Sequence, residues 1–261
     1  MTWAGCWWTA SAKKNELTPL GRSVLERARR IVHEAQELKE GAALLQRGGL
    51  GTLRVGLGSG PGAMLMTPWL VYMARHHPTV QVTVSRGSTE LQLTQLRERQ
   101  LDALVVDVRQ VEAAPDLKMA HVVEMRAGFV CRQGHPLLSL HPDGVPFDAL
   151  LAFPIASIPL SQEVARLLVD HYGPQANPAQ MTTLQCEDIA SLIDVVGQTD
   201  AIYLGIVGAA REGMAQGGLV ELPMQTPLKA QARLGLITLV GRSELPAMSV
   251  FGEFVQKHLT D

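Results

Sequence analysis

The sequence predicts an α/β protein of two lobes preceded by one long helix. Three observations predict it. The 261 residues suit two lobes of about 100 to 150 residues, each large enough for a hydrophobic core. From residue 18 to residue 48 apolar side chains recur at an average of about 3.5 positions, the period of a helical seam. Beyond Gly49 the period changes, and strand-like runs alternate with helical ones twice over, the order that builds parallel sheets.

Thr18-Pro19 starts the long helix, because a Thr hydroxyl caps an orphan N–H and proline at the first helical position loses no hydrogen bond. Gly48-Gly49 ends it. Between them Val24, Ala28, Ile31, Ala35, Leu38, Ala42 and Leu45 keep one apolar seam on one side. At about 1.5 Å per residue this helix is roughly 40 Å long, more than a lobe needs for its own core. Pairing with the same helix of a second chain is therefore expected. The other reading is an amphipathic helix lying on its own domain, which the alternate alanines also permit. Residues 1–17 carry no regular pattern and are expected to be irregular.

Leu53 to Leu57 reads as a strand entering a glycine-rich loop, Gly58-Ser59-Gly60-Pro61-Gly62, and then a helix from Met64 to His76. Val80 to Ser85 alternates with period two, Leu91 to Arg99 is helical, and Leu101 to Val106 is the continuous apolar run of a strand covered on both faces. Leu117 to Cys131 holds two further strand-like runs. It ends at the turn Gln133-Gly134-His135-Pro136, where the first lobe hands over to the second. The second lobe repeats the grammar: strand at Phe153 to Ala156, helix at Ser161 to Tyr172, strand at Thr182 to Gln185, helix at Asp188 to Val196, strand at Ala201 to Leu204. Gln231 to Val240 carries the chain back, and Pro246 to His258 is a final helix. The first lobe then comprises 50–130 and 235–261, the second 131–234, and two crossings between them make a hinge. Open parallel sheets receive ligands beyond the carboxyl ends of their strands, so a small solute closing between the lobes is expected.

Composition narrows the function. With 23 Lys and Arg against 25 Asp and Glu, net charge −2, the whole chain lacks the basic surplus that drives non-specific nucleic-acid binding. The first 50 residues hold eight basic side chains and five acids, so the basic end is N-terminal. There Arg22, Arg27, Arg29 and Arg30 either add phosphate affinity or simply solvate the helix. Cys6, Cys131 and Cys186 lie far apart without a CxxC pair, which speaks against a zinc site, a redox motif or a disulfide framework and fits a reducing cytoplasm. Ala4-Gly5-Cys6 is preceded by too few residues for an export signal, and no apolar run of about 18 residues predicts a membrane span. The scattered histidines predict no metal site. No nucleophile has a neighbouring base and no GxSxG elbow occurs, so neither an enzyme nor a cofactor is expected. Gly56 and Gly58 fit the first two positions of GxGxxG, but Pro61 stands at the third and Arg86 replaces the acid that a nicotinamide site requires.

Several motifs together resemble the LysR-type transcriptional regulators from about Leu17 to the C-terminus. Leu17-Thr18-Pro19-Leu20-Gly21-Arg22 resembles the family's LTPAG-type junction between winged helix-turn-helix and linker helix. Leu53-Arg54-Val55-Gly56 resembles the first strand of its effector-binding domain, the run LRERQLDA from Leu96 to Ala103 resembles its LRxGELDLA segment with Arg99 in place of glycine, and Gly134-His135-Pro136-Leu137 resembles its GHPL turn. The resemblance implies two Rossmann-like lobes of the periplasmic-binding-protein type II kind and a homodimer or homotetramer. It also implies transcription regulation in the cytoplasm in response to a small-molecule effector. DNA-binding would reside in an N-terminal domain of roughly 60 residues that the segment MTWAGCWWTASAKK does not resemble.

Candidate effector contacts follow from both lines. Ser59, Gly60 and Pro61 lie between a strand and a helix, where backbone N–H groups and the helix dipole favour an organic anion, although a tight turn alone also calls for glycine. Thr89, with Ser88 beside it, resembles the family's hydroxyl contact and also suits a plain N-cap. Ser157 and Ile158 follow the first strand of the second lobe. Leu204 resembles the family's hinge-side segment. Arg126 and Arg132 flank the crossing, where surface salt bridges are expected. A solute-binding protein of a transport system is the alternative, since it shares the cleft.

Overall fold

The computed structural model describes residues 8–11, 14–25, 27–29, 31, 32, 35, 51–241 and 246–260. Seam positions Leu38, Ala42 and Leu45, the stop at Gly48-Gly49, and Cys6 and Arg30 lie outside the described residues. The start of the chain is not irregular where it is described. Strands β1 (Trp8–Ser11) and β2 (Lys14–Leu17) pair antiparallel, with Trp8 opposite Leu17, so each satisfies the other's backbone groups.

Helix α1 follows, helical at 19–25, 27–29, 31, 32 and 35. Thr18 caps it as expected: its Oγ1 accepts from the Gly21 N–H at 2.9 Å. The described seam does not lie on the chain's own body. Ala28, Ile31 and Ala35 are exposed and Val24 is half-buried, with Ile31 66% and its neighbour Val32 69% exposed. A different face, carrying Arg22, Leu25 and Arg29, turns toward the body.

The body runs β3 (Thr52–Leu57), α2 (Ser59–His76), β4 (Gln81–Arg86), α3 (Thr89–Arg97), β5 (Ala103–Asp107), β6 (Leu117–Arg132), α4 (Pro136–Leu140), α5 (Phe147–Leu150), β7 (Ile155–Ser157) and α6 (Gln162–Tyr172). It continues α7 (Pro178–Met181), β8 (Thr182–Gln185), α8 (Ile189–Gln198), β9 (Ile202–Ile206), α9 (Arg211–Ala215), β10 (Leu219–Glu221), β11 (Gln231–Leu239) and α10 (Pro246–His258). The strands lie in the order β4-β3-β5-β11-β6-β9-β7-β8, with β10 also beside β6. β3 is parallel to β4 and β5, and β7 is parallel to β8 and β9. The antiparallel β11 and β6 join these two parallel groups.

One strand replaces the two runs expected between Leu117 and Cys131. β6 is 16 residues long, pairs with β11 as far as Arg126, and pairs with β9 from Ala127 onward. Near His121, whose φ is 50°, the register against β11 slips, a bulge that lets the strand bend without breaking. The chain therefore changes groups inside a strand, ahead of the Gln133–Pro136 turn. That turn anchors the second group instead. Fully buried His135 caps α4, its Nδ1 accepting from the Leu137 N–H at 3.2 Å while Nε2 lies 3.1 Å from the Asp200 carbonyl oxygen.

Each group is covered on both faces, which is why its central strands are apolar throughout. In the first, Leu65, Trp69 and Met73 of α2 pack with Phe251 and Phe254 of α10 over Leu53, Val55 and Leu57. Leu96 of α3 covers Leu104 and Val106 on the other face. In the second, Leu168 of α6 packs with Phe129 and Ile202, and Leu192 and Val196 of α8 pack with Val130 and Tyr203. Among the described residues no helix is long and apolar enough to cross a membrane.

Candidate functional site

A cavity of about 310 Å³ opens where β3, β4 and β5 of one group face β7, β8 and β9 of the other, at their carboxyl ends. Ala127, Ala230, Gln231 and Ala232, where the two crossings change partner, form its floor. The Ala127 N–H donates to the Ala230 carbonyl at 2.8 Å, tying the crossings together.

On the first wall the glycine-rich segment is not a loop, because α2 begins at Ser59 rather than Met64. Extended Gly58 serves as N-cap without a side-chain bond, its N–H docked on the Val105 carbonyl at 2.9 Å. The first turn carries no acid. The N–H groups of Ser59 and Gly60 lack intrahelical partners by position, Pro61 has none to offer, and all three residues line the cavity. This helix end favours a negative or strongly accepting group. Ser88 caps α3 by accepting from the Leu91 N–H at 3.3 Å, and the Thr89 hydroxyl donates to Gln110 Oε1 at 2.8 Å.

Asp107 and Arg109 close that wall as a self-contained pair, 2.7 Å apart. The hydrogen bond to Asp107, above all, raises the Arg109 pKa against the cost of burial, with Glu163 assisting at longer range. Of the ionisable side chains on the cavity wall, Asp107 and Glu187 outnumber Arg109. Attraction for an anion rests here on backbone, not on a surplus of cations.

The second wall is mostly apolar: Ile158, Pro159, Leu160, Val164, Ile189 and Ile206, with Tyr203 beside them. Tyr203 is 1% exposed, and burial holds its phenol far above the ordinary range, so it keeps its proton. A Cβ at Gly205 would collide with this hydroxyl, so the tyrosine's position requires glycine there. Across the gap, a Cβ on Gly60 would stand 2.9 Å from Ile206 Cδ1. At the rim Arg86 reaches from the first group to the second, its NH1 3.0 Å from Asp188 Oδ1, and Ser191 Oγ donates to Asp188 Oδ2 at 2.8 Å.

Of the residues singled out in the sequence, Ser59, Gly60, Pro61, Ser88, Thr89 and Ile158 share this cavity. Ser157 and Leu204 do not reach it. Both are buried behind the wall, where the Ser157 hydroxyl donates to the Leu204 carbonyl at 2.9 Å and staples β7 to β9. The reason is the two-residue period of strands: Leu204 faces away while its neighbours Tyr203 and Gly205 line the cavity, and one residue beyond Ser157 it is Ile158 that turns inward. Sequence reasoning missed Gln110, Tyr203, the floor alanines and the rim pair. Only Arg86 had left a signal, as a basic residue closing a strand. Arg126 and Arg132 form ion pairs with Glu221 and Asp200.

A cleft between two parallel groups that share two crossing strands defines a protein that receives a small molecule between lobes. Residues 46–260 match the LysR substrate binding domain, and the chain belongs to the LysR family of transcriptional regulators. It is 30% identical over 232 residues to the SDS degradation transcriptional activation protein of Pseudomonas sp. (strain ATCC 19151), covering 88% of this chain and 74% of the relative. It is 26% identical over 248 residues to the HTH-type transcriptional regulator GalR of Pseudomonas putida, covering 94% of this chain and 60% of that protein. Among solved structures, CrgA of Neisseria meningitidis superposes with a TM-score of 0.62 at 14% identity, over 96% of this chain and 83% of that one. A full-length OxyR variant of Pseudomonas aeruginosa gives 0.63 at 16% identity, over 96% and 80%. The fold is thus the periplasmic-binding-protein type II-like fold of LysR regulatory domains. The relatives are regulators rather than transport proteins, which removes the solute-binding alternative.

Proposed function

We propose that this effector-binding domain senses a small organic anion with an aliphatic body, held in the interlobe cavity. The observation that carries the reading is the asymmetry of that cavity: uncapped α2 N–H groups at one end, apolar side chains along the opposite wall. The headgroup accepts from the N–H groups of Ser59 and Gly60 and from the Thr89 hydroxyl, which turns to it from Gln110, while the carbon chain lies against Ile158, Leu160 and Ile206. Similarity to a regulator of SDS degradation agrees with such a ligand.

Occupancy shifts a two-state equilibrium of lobe closure by the ligand's differential affinity for the two states. The shift passes to α1, whose exposed seam at Ala28, Ile31 and Ala35 suits pairing into a homodimer, itself able to build a tetramer. DNA recognition belongs to the portion of such regulators that this chain does not span, and the whole acts in the cytoplasm without catalysis.

Calorimetry with octyl sulfate and octanol, both well below micelle-forming concentrations, tests the reading. Octyl sulfate is expected to bind one per chain, and Thr89→Ala to weaken it without lowering the unfolding temperature. Equal binding of octanol would remove the anion from the proposal. No saturable binding of either compound would remove the aliphatic body as well.

A further inference from the structure

The hydroxyl of Tyr203, on the mostly apolar second wall, carries a proton that no group among the described residues accepts. The side chain is 1% exposed. Burial outweighs a backbone hydrogen bond from Ile206 to its oxygen, so the proton stays on the phenol. Buried donors are nearly always paired, and an unspent one that lines a cavity calls for an acceptor on the guest.

The neighbouring backbone places this donor at the α2 end of the cavity. Gly205 lacks the Cβ that would collide with Tyr203 Oη, so the oxygen lies directly over β9. Ile206 comes next, and its Cδ1 is the first atom that a Cβ on Gly60 would meet. Ala63, one turn further along α2, packs against the core cluster to which Tyr203 belongs. The hydroxyl therefore sits on the far side of the gap from the open N–H groups of Ser59 and Gly60.

We infer that the Tyr203 hydroxyl is the second group's donor to the effector headgroup, and that this headgroup is a tetrahedral monoanion, a sulfate ester or sulfonate. The inference rests on the effector reading above and adds to it the shape and charge of the headgroup. A tetrahedral oxyanion has three terminal oxygens pointing apart, so it accepts from both walls at once. A carboxylate holds its two oxygens in one plane and, seated on the α2 N–H groups, turns neither toward the facing wall. A second negative charge, as on a phosphate monoester, meets a wall where Asp107 and Glu187 outnumber Arg109. A hydrogen bond completed only when the two groups approach is stronger in the closed state, so Tyr203 also links headgroup recognition to closure.

Calorimetry of the full chain with sodium octyl sulfate and sodium octanoate, below micelle-forming concentrations and near neutral pH, tests it. The parent is expected to bind octyl sulfate about tenfold more tightly than octanoate, as one additional hydrogen bond to a charged acceptor predicts. Tyr203→Phe keeps the ring and removes only the oxygen, so its unfolding temperature without ligand should change little. It should lose about tenfold in affinity for octyl sulfate, keep its affinity for octanoate, and so erase the preference. Thr89→Ala, on the first wall, should weaken both anions alike. Three results would overturn the inference and leave the effector reading intact: a parent that binds both anions equally, a Tyr203→Phe variant that binds both as the parent does, or one that weakens both to the same extent, which would make the tyrosine a packing residue of the wall. A parent that binds neither anion would overturn the effector reading and this inference together.

Discussion

Ser59 lines the cavity while Gly56, three residues earlier, packs inside the first group. Ser59→Pro is the sharpest probe of the anion end, because Gly58 already has the extended backbone (φ −67°, ψ 173°) that precedes proline, and proline is favoured at a first helical position. The helix should persist while the N–H of residue 59 and the serine hydroxyl both disappear. Loss of a charge-assisted hydrogen bond of about 1.5 to 3 kcal/mol predicts at least a tenfold fall in affinity for octyl sulfate. An unchanged affinity would show that the headgroup binds elsewhere. Gly56 serves packing instead: a Cβ there would stand 2.8 Å from Leu104 Cδ2, 2.9 Å from Gln92 Oε1 and 2.9 Å from Leu101 Cδ1. Gly56→Ala should cost about 1 to 3 kcal/mol in urea unfolding and leave ligand affinity alone. The part of the cavity made from strand-to-helix junctions was legible in the sequence, because the glycine-rich run and Ser88-Thr89 mark such junctions, although the first helix was expected from Met64 and begins at Ser59. The floor was not, since Ala127 and Ala230 to Ala232 carry no local signal until non-local pairing brings them together. Ser157 and Leu204 were misplaced because one residue along a strand exchanges wall for core.

At the scale of elements, the boundaries of α10 and β8 follow the sequence closely, since Pro246 and the Thr182 run mark them locally. β10, three residues long, carries too short a pattern to detect and exists only by pairing with β6. The contact that matters most between elements is the rim pair joining the end of β4 to the start of α8. Both side chains are more than a third exposed, so Arg86–Asp188 contributes at most about 1 kcal/mol to closure. Arg86→Gln should increase the open population seen by solution X-ray scattering while changing the unfolding temperature little. The Ser191 hydroxyl first, and Arg86 next, hold the Asp188 carboxyl below its usual range. A depressed carboxyl pKa stabilises above the unfolded value of about 3.9 and loses that contribution as pH falls through the lower folded value. Closure should accordingly be flat between pH 5 and 8 and loosen only in acid; a transition near neutrality would implicate a different group.

For the whole molecule, the proposed assembly rests on the exposed seam of α1. Burying Ile31 against a partner seam is worth about 1.5 to 3 kcal/mol per chain, so Ile31→Asp should weaken dimerisation by about a hundredfold or more in sedimentation equilibrium. A parent chain that stays monomeric at all concentrations would end the seam reading. The approach of Gly60 to Ile206 carries a consequence for what the assembled protein perceives. With a hydrogen at position 60 and a flexible methyl at 206, the halves can meet almost to contact, and what separates them is the girth of whatever lies in between. Such a gap has the geometry of a caliper. On the proposed reading it would grade guests by cross-section instead of length, admitting slender chains and holding the jaws ajar for any that branch.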